Sequence, residues 1–334
     1  MTNQLDELLE AGVAKGAVPG VVAAIVNRNE MTYLGAAGER SIGTGAAMTT
    51  DTVGAIFSMT KAITGAAAMQ LVEQGKVDLD APAGNYCPEL AEPATVLEGF
   101  DADGQPITRP AVGDVTLRNL LTHTSGYVYD IWNADMGRWY EATETPTLFS
   151  LMIDALKTPL AFDPGTQWEY GIGIDWAGIL IERVTGMTLG AYFADHLTGP
   201  LGMNDTAFAH TEDMLARASA VHARLPDGGF VAMDLPAAEA PEFEMGGGGL
   251  HSTMTDYGRF MRMTASSTVR ECSNRRPLRR WSPTTWATCG SKNSRLPCLH
   301  SPTMPKCSPT SQSRGGSPSR FMKQRVRRGA PPEH

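Results

Sequence analysis

Ser58 and Lys61 stand three residues apart in Ala55-Ile56-Phe57-Ser58-Met59-Thr60-Lys61-Ala62-Ile63-Thr64. On a helix, residues i and i+3 share a face, so this spacing lets the hydroxyl and the amine approach one another. The pairing has a chemical use, because a serine hydroxyl is a poor nucleophile until a neighbouring base accepts its proton. A lysine serves as that base in an apolar setting, which Phe57, Met59 and Ile63 offer. The start of a helix adds a field that favours negative charge at Ser58. The spacing alone is unspecific, since a capping serine followed by a solvated lysine has the same pattern.

Other residues invite chemical readings. Tyr170, in Pro164-Gly165-Thr166-Gln167-Trp168-Glu169-Tyr170, sits at a turn from which a side chain can point into a cleft. A packed aromatic with its hydroxyl satisfied and a phenol passing protons in the Ser58–Lys61 network both fit it. His123, between Thr122 and Thr124, fits a general base less well than a buried structural hydrogen-bonder. The run Gly246 to Gly249 is not followed by Gly-Lys-Ser/Thr, so close backbone packing is expected there rather than phosphate binding. Cys272, Cys289, Cys298 and Cys307 match no zinc-ligand spacing and are read as accidental. Neither a metal nor a cofactor is expected.

The element carrying Ser58 and Lys61 reads as a helix. Ile56, Met59, Ile63, Ala66, Met69 and Val72 recur at three- and four-residue steps, and Gly75 stands where a C-terminal cap is wanted. Before it, residues 3–15 read as an amphipathic helix with Leu5, Leu8, Leu9 and Val13 inward. Val21 to Val26 reads as a buried strand, turned by Asn27 to Glu30 into a second strand, Met31 to Ala36. Residues 41–50 read as loop, and a long Pro/Gly-containing connection is expected from Pro82 to about Gly113. Thr116 caps a short helix with Arg118 and Asn119 exposed; Phe162 to Asp175 turns into a helix reaching about Val184. A further helix covers Leu189 to Leu197, and the stretch Gly246 to Thr253 opens one that ends near Met263.

The chain has 334 residues, enough for one large or two ordinary domains. No stretch of about 18 apolar residues suggests a membrane span. The opening Met1 to Leu8 is acidic and lacks the basic-then-apolar order of a signal peptide, so a cytoplasmic protein is expected. The net charge of −8 hides a break: residues 1–264 hold 14 Lys and Arg against 34 Asp and Glu, whereas residues 265–334 hold 14 against 2. The expected organisation is an N-terminal helix and hairpin of an α/β domain over residues 1–55, a mostly helical domain over 56–264, and a basic tail over 265–334.

Ser58 to Lys61, Leu120 to Gly126, Pro164 to Tyr170, Gly199 to Met203 and Gly246 to Thr253 follow one another in an order that resembles the serine β-lactamase superfamily, on its class C side. The resemblance is strongest to its esterase branch, the family VIII carboxylesterases, and covers about residues 3–264. It implies an antiparallel sheet flanked by helices, with a mostly helical second domain. It also implies Ser58 as the acyl-enzyme nucleophile, Lys61 as its base or proton partner, and Tyr170 as the third catalytic member. The substrate class it implies is a small-molecule ester, with no nucleic-acid or membrane partner.

Two departures bear on this reading. Class C β-lactamases carry Tyr-x-Asn, and here the third position is Ile172. That favours hydrolysis of short-chain carboxylic esters over a β-lactamase or D-Ala-D-Ala peptidase activity; an inactive binding protein on the same scaffold is the other alternative. The second departure is larger, because the family's last third supplies central strands and a Lys/His/Trp-x-Gly box, and the tail here holds neither. A reading-frame shift between Thr264 and Arg270 accounts for this. Reread one base along, Arg270 to Ser294 permits a string close to RVLKPETVAEMVANNMGDLRVKKL, which has the helical character the tail lacks. The competing explanation is a natural basic, disordered tail that binds acidic partners by charge. With the shift, the sheet is incomplete and little esterase activity is expected of the chain as it stands.

Overall fold

The computed structural model describes residues 2–233 and 241–265. The tail beyond residue 265, with its cysteines and the expected frame break, lies outside them. Near the start, strands β1 (Gly20–Val26) and β2 (Met31–Gly38) pair antiparallel from Gly20 opposite Gly38 to Val26 opposite Met31. Asn27 sets the turn, its Oδ1 accepting the N–H groups of Asn29 at 2.7 Å and Glu30 at 3.0 Å. Helix α1 (Thr2–Ala14) packs on β2, and the Tyr33 hydroxyl donates to Asp6 at 2.8 Å.

Two expectations fail here. Leu8 is 66 % exposed, whereas Leu5, Leu9 and Val13 are half-buried. Residues four apart drift by only about 40° around a helix, so those three form one stripe and Leu8 falls off it. Strand β1 is half-buried rather than buried, with Ile25 46 % exposed, because β2 is its only strand partner among the described residues.

The core lies between α2 (Thr60–Glu73) and α5 (Gly173–Thr185). Every residue of α5 from Gly173 to Ile181 is buried, as befits a helix surrounded by protein. Ile63, Ala67, Ala68 and Leu71 of α2 meet it in one apolar cluster with Trp176, Ala177 and Leu180. Each fully buried Leu or Ile contributes roughly 1.5–3 kcal/mol of transfer free energy. Gly75 ends α2 at φ 68°, its N–H donating to Val72 O at 3.0 Å while the Lys76 N–H donates to Leu71 O at 2.9 Å. This is the paired closure that a glycine just past a helix permits.

The connection after Pro82 is not featureless. It contains the hairpin β4 (Thr95–Phe100) and β5 (Pro106–Pro110), with a register shift between Leu97 and Gly99. Helix α3 (Leu117–Thr122) starts on a reciprocal cap between Thr116 and Asn119. Arg118 and Asn119 are half-buried, not exposed, because Arg118 pairs with Asp80 and Asn119 is held by the cap. Helix α4 (Ala134–Thr143) follows, and after α5 comes α6 (Leu189–Phe193), which runs on through a wider turn at Ala194–Thr198.

Helix α7 (Glu212–Ala216) leads to the hairpin β6 (His222–Arg224) and β7 (Phe230–Ala232). Strand β8 (His251–Ser252) pairs with β3 (Gly54–Ala55), and α8 (Met254–Ala265) packs back on β1. The stretch from Gly246 to Thr253 opens α8 as expected, through its last residue: the Thr253 hydroxyl accepts the Asp256 N–H at 3.2 Å. The class is mixed α and β, with helices around four two-stranded antiparallel sheets among the described residues. No helix among those residues is long and apolar enough to cross a membrane.

Candidate active site

Ser58 lies in a short 3-10 turn, Phe57–Met59, that runs straight into α2. Phe57 takes a positive φ of 43°, a strained setting for an aromatic residue, directly before the serine. The turn is tied to the glycine run and β8 on two sides. Ile56 N–H donates to Leu250 O at 3.0 Å, and Leu250 N–H donates to the Thr60 hydroxyl at 3.2 Å. One α2 turn further, the Thr64 hydroxyl donates to Gly246 O at 2.7 Å.

The structure brings Ser58, Lys61 and Tyr170 together. Ser58 Oγ accepts from Tyr170 Oη at 2.6 Å and from Lys61 Nζ at 3.3 Å. Lys61 Nζ also donates to Gly247 O at 2.6 Å and to Tyr129 Oη at 3.1 Å. Three acceptors match the three N–H donors of an ammonium. The amine stands 4.8 Å from the centre of the Tyr170 ring, and Lys61 as a whole is only 9 % exposed.

Tyr170 is held by its neighbours on both sides in sequence and in space. A Cβ at Gly171 would lie 2.0 Å from Tyr127 O, so only glycine lets the chain pass there. Its N–H donates to His123 Nδ1 at 3.3 Å, and the Glu169 N–H donates to His123 O at 3.0 Å. His123 caps α3 at φ 56° and packs on the Tyr170 ring with centroids 4.7 Å apart. Burial first, and the Lys61 charge second, pull its pKa down to about 4. A neutral imidazole accepting a backbone N–H is a structural histidine.

Sequence reasoning missed three participants. Tyr129 lies in the irregular stretch between α3 and α4, where no periodicity marks it. Its hydroxyl is raised above the ordinary range by burial, with smaller contributions from Asp175 and Tyr170. Gly247 contributes a backbone carbonyl, which has no sequence signature beyond the run it belongs to. Asp175, in the first turn of α5, is fully buried and accepts the Gly247 N–H at 2.7 Å. Burial pushes its pKa up to about 6, against the opposing pull of the Lys61 charge. The glycine run packs as expected: a Cβ at Gly247 would meet the Asp175 carboxylate at 2.5 Å.

Around this centre stands an aromatic mouth. Trp132 packs against both Tyr129 and Tyr170, with ring centroids 5.5 and 5.4 Å apart, yet is 64 % exposed. Trp168 meets His123 edge-on and is 65 % exposed. Among the described residues no group of three or more His, Cys, Asp or Glu is placed to hold a metal ion.

Comparison with known proteins places this geometry in a family. Lovastatin esterase of Penicillium rubens is 35% identical over 272 residues, 77% of this chain and 67% of that protein. Monacolin J acid methylbutanoyltransferase of Aspergillus terreus is 40% identical over 184 residues, 53% of this chain and 44% of that protein. Among solved structures, a mutant of simvastatin synthase from Aspergillus terreus superposes with a TM-score of 0.70 at 32% identity, covering 81% of this chain and 67% of that one. The chain thus spans 44% to 67% of the length of these relatives. The family profile described as Beta-lactamase matches residues 5–296, past the charge break. The chain belongs to the Beta-lactamase family, whose serine β-lactamase and penicillin-binding-protein-like fold it carries and among whose members are esterases and acyltransferases.

Proposed function

We propose that the chain is a serine hydrolase of the family VIII carboxylesterase kind, cleaving short-chain carboxylic esters through an acyl-enzyme on Ser58. The observation that carries this is the triple meeting of Ser58, Lys61 and Tyr170 at 2.6 and 3.3 Å. Ser58 Oγ attacks the ester carbonyl carbon and its proton passes to Tyr170, the nearer of the two partners. Lys61, with its three acceptors, supplies positive charge beside Tyr170, and the acylating form is the one in which Tyr170 has released its own proton to solvent, leaving its oxygen free to take the one from Ser58. Tyr170 then returns the proton to the departing alcohol. Water, activated the same way, cleaves the acyl-serine to a carboxylic acid and restores the hydroxyl.

The substrate reading rests on the mouth. Exposed Trp132 and Trp168 favour an apolar, neutral ester, and the acidic balance of residues 1–264 disfavours an anionic one. Ile172 is 1 % exposed in the core and offers no amide toward a β-lactam. The acyltransferase relatives support a second reading, in which an alcohol replaces water at the acyl-serine.

Ser58 acylation tests the proposal without requiring fast turnover. After mixing with p-nitrophenyl butyrate, intact-mass and peptide mapping should find a butyryl group on Ser58, absent in Ser58→Ala. A folded protein that takes up no acyl group at Ser58 would sink the hydrolase reading. Adding a short alcohol and measuring ester against acid then separates transfer from hydrolysis.

A further inference from the structure

We propose that Asp175 is a positioning residue for Lys61, acting through the Gly247 peptide. The three groups form one continuous chain: Asp175 Oδ1 accepts the Gly247 N–H at 2.7 Å, and Gly247 O accepts Lys61 Nζ at 2.6 Å. A peptide whose N–H is bound by a carboxylate carries a more negative carbonyl oxygen, since bonds in a chain polarise one another. The carboxylate therefore strengthens the grip of Gly247 O on the ammonium and fixes where the amine stands relative to Ser58.

The cost of this arrangement points to its use. Asp175 is fully buried, and its Oδ2 has no hydrogen-bond partner among the described residues. A buried charge with an unpartnered oxygen is unfavourable unless a counter-charge answers it, and an amide would accept the same N–H more cheaply. Lys61, from α2, is the cation that acts on it. The other titratable groups that feel it are the hydroxyls of Tyr129, between α3 and α4, and Tyr140, from α4; the glycine run presents only peptide groups. Glycine at 247 is part of the device, because any side chain there would occupy the carboxylate's place.

The inference rests on the acyl-serine reading for its first test and is independent of it in the second. In the full chain, the rate of Ser58 labelling by a fluorophosphonate probe is followed against pH for the parent and for Asp175→Asn. Removing the carboxylate weakens the hold of Gly247 O on the amine and takes away a group that titrates near pH 6. Labelling of the parent should fall as pH drops through about 6 and the Asp175 carboxyl takes up a proton, whereas Asp175→Asn should lack that limb and label about tenfold more slowly above it. A profile of unchanged shape, lowered equally at every pH, would mean a merely structural role and overturn the inference. A folded parent that is not labelled at all would instead remove the acyl-serine reading.

The second test needs no activity. The carboxyl carbon of Asp175 is titrated by NMR in the parent and in Lys61→Met. If the two groups are coupled, the Asp175 midpoint should rise by about one unit when the ammonium is gone. An unchanged midpoint would overturn the inference, including where Asp175→Asn does not fold.

Discussion

Ser58 Oγ accepts from two donors, and the two are not equivalent: the Tyr170 bond is 2.6 Å and the Lys61 bond 3.3 Å. Tyr170→Phe keeps the ring on His123 and Trp132 and removes only the proton carrier. Acylation of Ser58 should fall by roughly 100- to 10,000-fold, while thermal stability stays near that of the parent. Tyr129→Phe is the milder case, since it leaves one Lys61 N–H without an acceptor in a buried site. That costs on the order of 1–3 kcal/mol, so a loss of about 5- to 160-fold in acylation rate is expected. A Tyr129→Phe protein as fast as the parent would exclude its hydroxyl from the network. His123 acts on stability instead. Its folded pKa, about 4, lies below the ordinary 6.5, so the unfolded chain binds more protons between those values. The stability it contributes is therefore whole above about pH 6.5 and lost as pH falls toward 4. Urea unfolding at pH 7 and pH 5 should show a loss about 1–2 kcal/mol smaller in His123→Asn, which retains an acceptor and tolerates the left-handed backbone. Ser58, Lys61 and Tyr170 were legible because each belongs to a short motif. Tyr129 and Asp175 were not, because their chemistry exists only once α2, α5 and the glycine run are packed together.

The elements were legible in proportion to how local their causes are. Helix α2 declares itself through apolar period and a terminal glycine; the glycine closes it as the pattern implies, but Met59 is exposed and Ala66, Met69 and Val72 are half-buried, the buried apolar face being Ile63, Ala67, Ala68 and Leu71. The β1–β2 hairpin likewise follows from Asn27 and its two backbone bonds. The β4–β5 hairpin hides, since Pro106 and Pro110 stand at its ends and Gly99 sits at the register shift, residues that read as loop. The glycine run was half legible: close packing was foreseen, but which chain it packs on was not, because Asp175 lies 72 residues away. This makes a sharp element-scale prediction. At Gly247 a methyl group would stand 2.5 Å from the Asp175 carboxylate, whereas at Gly248 the nearest atom is the flexible end of Met245 at 3.4 Å. Gly247→Ala should cost about 1–3 kcal/mol of stability and abolish Ser58 labelling, and Gly248→Ala should change both little. Equal tolerance at the two positions, read by thermal melts and labelling, would contradict the packing described for the run.

At the scale of the whole molecule, Ser58, Lys61 and Tyr170 meet beside a well-packed helical core, while every sheet among the described residues has only two strands. Strand β1 carries an exposed Ile25, and β2 is its only strand partner among the described residues; α1 and α8 cover part of the pair. A hairpin alone is marginal in water, so such a surface calls for further strands. The family resemblance expects them from the last third of the chain, together with a backbone N–H that completes the oxyanion hole. In this chain that third is where the charge balance reverses, although the family profile still matches as far as residue 296. We propose that the reading frame shifts between Thr264 and Arg270, and the proposal can be tested at the level of the gene and of the protein. Resequencing codons 264–270 should reveal an inserted or lost base. A chain expressed from the restored frame should melt higher and label faster, because one oxyanion donor is worth about 100- to 1000-fold in rate. The chain as it stands should acylate Ser58 slowly and stay poorly soluble. An uninterrupted frame, or p-nitrophenyl butyrate turnover by the present chain as fast as by the restored one, would show that residues 266–334 serve this fold as they are.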